Sequence, residues 1–122
     1  MATKLERVTV TISSGAVASA AVSIPLDKTP QSIVVPSAMT GTSLRFEVSD
    51  DQGATYRKLY KEGTEYTVTI GTAEARHVAL DAAAFRGVVG ASSTSPTLLK
   101  IVSNASPSEA ANRTLLLNCG IS

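Results

Sequence analysis

Few side chains in this 122-residue chain carry reactive groups, and their spacing decides what chemistry they can do. His77 is the single histidine and Cys119 the single cysteine. Nucleophilic catalysis needs a nucleophile, a base within hydrogen-bond reach and a third group that orients the base. No G-x-S-x-G elbow supplies the first of these. His77 alternates with Val78 and faces away from it, which reads as a surface or interface position. Cys119 continues the alternation Leu115, Leu117, Cys119 and reads as a small buried hydrophobe rather than a reactive thiolate. One Cys and one His exclude a Cys/His zinc centre. No Gly-rich phosphate loop is present. The adjacent acids Asp50 and Asp51 could bind a cation weakly, but solvated turn residues are the commoner outcome. The chain therefore offers no catalytic, cofactor or metal residues, and it is expected not to be an enzyme.

Two local patterns remain. Ser49-Asp50-Asp51-Gln52-Gly53-Ala54-Thr55-Tyr56 fits S-x-D-x-G-x-T-aromatic, a turn similar to the Asp-box of sialidase-type propellers. Asp51 can accept from backbone donors across the turn, Gly53 permits a positive φ, and the aromatic covers the hairpin base. A propeller repeats the box, whereas this chain holds one copy and is too short for a propeller, so a well-made hairpin is the simpler reading. Tyr56, Tyr60 and Tyr66 are three of only five aromatic residues. They could stack on a sugar ring, or serve as packing and interface residues, since Tyr suits positions with one apolar and one wet end. Packing or an interface is the favoured reading.

The elements that must carry these residues are strands. Val8, Val10 and Ile12 alternate with Thr9 and Thr11, and Ser13-Ser14-Gly15 ends the run. A second run, with Val17, Ala18, Ala20, Val22 and Ile24, is blurred in phase by small residues, which reads as a strand with a bulge or at a sheet edge, and it stops at Pro25. Residues 27–31, with Pro30, read as a loop before the short strand Ser32–Val35. Leu44, Phe46 and Val48 face one way in the clearest strand, which pairs as a hairpin with Thr55–Tyr60. Tyr66, Val68 and Ile70 line the next strand, and Val78 and Leu80 point inward from Arg76–Leu80. Asp81 caps a short helical turn over Ala82–Phe85, stopped by Gly87. Leu99 and Ile101 (or Leu98 and Val102) mark a strand after a flexible segment at 90–96, and Thr114–Cys119 forms the last, after a loop at 104–112. The expected fold is all-β: one domain over residues 1–122, an antiparallel sandwich or jelly roll of about eight to nine short strands.

Composition narrows the role. The net charge of +1 gives no basic face for displacing counterions from nucleic acid. It gives no pull toward an anionic membrane either, and no run approaches the ~20 apolar residues of a membrane span. Residues 1–15 show no signal-peptide core, so synthesis in a cytoplasm is expected. Ser and Thr together number 29, and only 17% of residues are charged. Thr9, Thr11, Thr67 and Thr69 line outward strand faces where a monomer normally carries Lys and Glu. Such faces fit coverage by partner subunits.

The order of phrases along the chain is also informative. Ile33–Asp51 runs into Tyr56-Arg57-Lys58-Leu59-Tyr60. His77–Asp81, Phe85-Arg86-Gly87, Leu99–Ser103 and Ala110–Leu115 follow. Between positions 8 and 118 this order resembles small β-rich structural proteins of tailed bacteriophages and prophages. The resemblance implies a virion component, foremost a capsid decoration (cement) protein on the head surface. Its partner would be the major capsid protein, and the implied oligomer is a homotrimer. A tail, neck or fibre accessory domain, with a glycan as possible ligand, is the competing placement. Under either placement no cofactor is implied. The candidate contact residues are Thr3, Lys4, Leu5, Tyr56, Tyr60, Tyr66 and His77, together with the loops at 25–31, 90–96 and 104–112.

Overall fold

Alternating apolar residues build two antiparallel sheets that share one core. The computed structural model describes residues 5–25, 28–71, 74–86, 88 and 97–120. Sheet A contains β1 (Glu6–Ile12), β3 (Thr29–Val35), β9 (Arg76–Ala79) and β11 (Arg113–Gly120), in the order β1-β11-β3-β9. Sheet B contains β2 (Val22–Ser23), β4 (Ser43–Ser49), β5 (Arg57–Lys58), β8 (Thr67–Thr69) and β10 (Leu98–Ser103). Its order is β2-β10-β4-β5, and β8 also pairs with β4. A small hairpin joins β6 (Tyr60–Lys61) to β7 (Thr64–Glu65), and α1 (Ala82–Arg86) is the one helix among the described residues.

The inward faces meet in a single cluster. Val10, Ile12, Ile33, Val35, Leu115 and Leu117 come from sheet A, and Leu44, Phe46, Val48, Leu99 and Ile101 from sheet B. Period-two alternation places these side chains between the sheets. Phe46 stacks on Tyr66 and meets the edge of Phe85, so the rings tie α1 to sheet B. Asp81 caps α1 as expected: its Oδ1 accepts from Ala83 N at 3.0 Å.

Two expectations are corrected. The run from Val17 to Ile24 lies at the edge of sheet B, as its blurred phase implies, but it is not one continuous strand; only Val22–Ser23 pairs, with a single bridge from Ala18 to Val102. Its mix of Ala and Ser gives too few apolar anchors to hold a register. Pro30 is not in a loop but inside β3, opposite Cys119. The strand tolerates it because β9 pairs only with Ser32–Val35, so Pro30 has one neighbouring strand instead of two, and the register with β11 shifts between Asn118 and Cys119. Thr55–Tyr60 and Tyr66–Ile70 contain the expected strands in shortened form, β5 and β8, and β4 pairs with β5 as the expected hairpin. Arg57–Lys58 and Thr67–Thr69 pair in turn with the same strand, β4, and the β6–β7 hairpin is an excursion between them. The excursion is pinned at its base, where Leu59 N donates to Phe46 O (3.0 Å) and Tyr66 N to Leu59 O (2.9 Å). Glu62 and Gly63 both take positive φ at its tip, the turn geometry that matches the twist of a tight hairpin. Gly87 and the segment 90–96 lie outside the described residues.

Candidate functional site

The most elaborate polar centre is built on Glu109, which lies in the expected loop at 104–112. The backbone of this residue is fixed first: its N donates to Ala16 O (3.0 Å) and its carbonyl accepts from Gly15 N (2.9 Å). Its carboxylate is 1% exposed as part of the residue and accepts from four groups. These are Thr40 N (2.9 Å), Gly41 N (2.9 Å), Ser103 Oγ (2.6 Å) and Arg113 Nε (2.9 Å). Burial opposes ionisation of this acid, but the hydrogen bonds from Ser103, Thr40, Gly41 and Arg113 outweigh it and hold the pKa at about 2. A carboxylate so saturated with donors is a poor base and a poor nucleophile. Its role is to join the β3–β4 loop, the end of β10 and the start of β11. Gly41 is required here: a Cβ on it would stand 2.1 Å from Ser103 Oγ and 2.8 Å from Asn104 Oδ1.

The Asp-box turn also spends its polar groups on itself. Ser49 Oγ donates to Asp51 Oδ1 (2.7 Å) and accepts from Gly53 N (2.9 Å), while Thr55 N donates to Asp51 Oδ1 (2.9 Å). The bonds from Ser49 and Thr55 lower the Asp51 pKa from its ordinary value. Gln52 and Gly53 take positive φ, as the turn requires. Among the described residues no group of three or more His, Cys, Asp or Glu could hold a metal ion. Cys119 is 0% exposed, and its thiol is pushed up to about 11, first by burial and then by the nearby Glu6 charge.

The candidate contact residues do not gather in one place. Thr3 and Lys4 lie outside the described residues. Leu5 is 49% exposed just before β1. His77 is exposed on β9, at the opposite edge of sheet A from β1. Tyr56 is half-buried beneath Lys100, whose Nζ is 4.3 Å from the ring centre. Tyr60 is 56% exposed on the excursion hairpin. Tyr66 departs from the pattern of the other two, because it packs between Phe46 and Phe85 and its hydroxyl accepts from Asp81 N at 2.9 Å. The three tyrosines therefore form no shared sugar-stacking platform.

The outward faces of the two sheets differ in kind. On sheet A, Thr9, Leu116, Val34 and His77 lie directly side by side across all four strands. The next row holds Arg7, Asn118, Ser32 and Ala79, joined by Arg7 Nε to Asn118 Oδ1 (3.0 Å) and Asn118 Nδ2 to Ser32 Oγ (3.1 Å). Neither row contains a carboxylate. On sheet B, Glu47 stands opposite Lys58 and Lys100 and binds Arg45 at 2.7 Å. One outward face is thus charged and mixed in sign, and the other is partly aliphatic with one cation, Arg7, and no acid in these two rows.

These features define an all-β antiparallel sandwich whose buried polar centres serve its own loops. No family model, curated protein or solved structure matches the chain. Among the described residues no helix is long and apolar enough to cross a membrane.

Proposed function

We propose that this chain is a non-enzymatic structural subunit of a tailed-phage virion, a decoration protein that packs on the outer surface of the head against the major capsid protein. The observation that carries this reading is the outward face of sheet A. A free antiparallel face normally carries charges that keep it soluble and single. Here Thr9, Leu116, Val34 and His77 form a row without an acid, whereas sheet B shows the charged pattern of a solvated surface. The resemblance of the chain to small phage structural proteins gives the setting, including a homotrimeric arrangement. In that setting many copies add modest contacts into tight binding.

The test is the copy number and position of the protein in purified particles, by quantitative mass spectrometry and cryo-electron microscopy. On the order of hundreds of copies on the head surface are expected for a multivalent decoration protein. A few copies confined to the tail would overturn the reading in favour of a tail, neck or fibre domain.

A further inference from the structure

Sheet A ends in two open edges, β1 on one side and β9 on the other. Leu80 N donates to Gln31 O (2.9 Å), so the backbone groups of Leu80 point toward β3. In an antiparallel strand both backbone groups of a residue point the same way, and those of its neighbours point oppositely. Val78 therefore also points toward β3, while His77 and Ala79 turn their N–H and C=O groups to the open edge. Carried across the register of the sheet, the same alternation directs Ser32 and Val34 to β11 and Leu115 and Leu117 to β1. Val8 and Val10 answer them, which leaves the backbone groups of Arg7 and Thr9 on the outer side of β1. No described residue bonds to these edge backbone groups, and all four residues are exposed.

The two edges complement each other. β1, β11, β3 and β9 alternate in direction, so β1 and β9 run antiparallel. A second copy placed beside the first in the same orientation continues the sheet with an antiparallel pair. Setting His77 opposite Thr9 of the next copy keeps the row Thr9, Leu116, Val34, His77 in line. It also sets Ala79 opposite Arg7, so open donors meet open acceptors at both positions. The inward faces agree as well, because Val78 then lies beside Val8. These valines are the half-buried members of the core on β9 and β1, each flanked on only one side by its own sheet. Neither strand contains a proline, a lysine or a bulge, common protections of a free edge. The charges on their inward side are already engaged, Glu6 by Lys28 (3.4 Å) and Arg76 by Ile70 O.

We infer that β9 of one copy pairs with β1 of the next, His77 opposite Thr9 and Ala79 opposite Arg7, so that sheet A runs on from copy to copy and Val78 is covered by Val8. The occupant is a second copy of this chain because polarity, hydrogen-bond phase and inward alternation all match in the register that joins the half-buried valines. Such a head-to-tail contact uses different surfaces on the two partners and closes into a ring when the rotation between copies allows it. The inference goes beyond the proposed function, because it concerns contact between copies of the chain and not contact with the head.

The experiment uses two edge-blocked full chains. Thr9→Pro and His77→Pro each remove an N–H that faces the open edge, and neither breaks a hydrogen bond within sheet A. Sedimentation velocity of the wild type should show concentration-dependent assembly below about 1 mM. Each variant alone should associate at least about tenfold more weakly and stay monomeric where the wild type assembles. An equimolar mixture should form a heterodimer and nothing larger, because the intact β9 of one variant meets the intact β1 of the other. A wild type that is monomeric at about 1 mM, undiminished self-association of either variant, or a mixture of natively folded variants that stays monomeric would overturn the inference. Where a variant fails to fold, amide exchange in the wild type decides. The amides of Arg7, Thr9, His77 and Ala79 should slow as concentration rises, and unchanged exchange there would overturn the pairing. None of these results bears on copy number in a particle, so failure of the edge contact and failure of the decoration reading remain separable.

Discussion

Arg113 Nε donates a 2.9 Å hydrogen bond to Glu109 Oε1, four residues earlier, although neither residue lies in a helix. The loop curls back so that the guanidinium at the start of β11 closes the fourth side of the carboxylate cage. Arg113 also reaches Thr40 Oγ1 (3.3 Å), so the start of β11 and the β3–β4 loop are held by the same pair of charges.

The first prediction concerns acid stability. The Glu109 pKa is depressed from 4.5 to about 2 in the folded state, so its contribution is present above about pH 4.5 and is lost as pH falls toward 2. A shift of that size corresponds to about 3 kcal/mol. Urea unfolding of the wild type should show stability falling through this window. Glu109→Gln should lose about 2–4 kcal/mol at pH 7, because one amide cannot accept from all four donors. The gap between the two proteins should narrow by pH 3. A gap that does not change with pH would refute the assigned role.

Cys119 should be inert until the sheets part. Its thiol sits at the inner face of β11 with no exposure, and its raised pKa keeps it protonated at neutral pH. A thiol reagent at pH 8 should label the native protein negligibly and the urea-unfolded protein completely. The labelling transition should coincide with the loss of β-sheet circular dichroism. Rapid labelling under native conditions would show that the end of β11 opens locally.

Tyr66→Phe separates packing from hydrogen bonding. The ring contacts with Phe46 and Phe85 should survive, but Asp81 N loses its acceptor at the entry to α1. The expected cost is about 1 kcal/mol in chemical denaturation. Amide exchange should quicken at Asp81 and through α1 more than in β11. Uniform quickening across both sheets would place the effect elsewhere.

Leu116→Lys tests the outward face of sheet A. Leu116 lies between Thr9 and Val34 on the outside of sheet A, so a lysine can extend into solvent there. The isolated chain should keep its unfolding free energy within about 1 kcal/mol. Recovery of the protein with purified heads should fall by at least about tenfold, since each copy would place a charge in the contact. Unimpaired recovery would remove this face from the proposed interface.

Much of the architecture is legible along the chain, and for a local reason. Alternation in Val8–Ile12, Leu44–Val48 and Leu115–Cys119 repeats every two residues, so the buried side of each strand can be read without knowing its partner. The Asp81 cap and the Ser49–Asp51–Gly53 turn are equally plain, because their partners lie within four positions. The Glu109 cage is not visible in this way. Three of its four donors come from Thr40, Gly41 and Ser103, and Thr40 is 69 positions away. Only the meeting of the β3–β4 loop with the end of β10 creates a site where burying that acid is stable. The same holds for Pro30, which a strand accepts only once β9 proves too short to pair beside it. The sequence by itself determined which residues face inward, since pleat and turn chemistry act over a few residues. Tertiary structure decided which loops meet and which outward rows gather without an acid, because those depend on contacts between segments far apart in the chain.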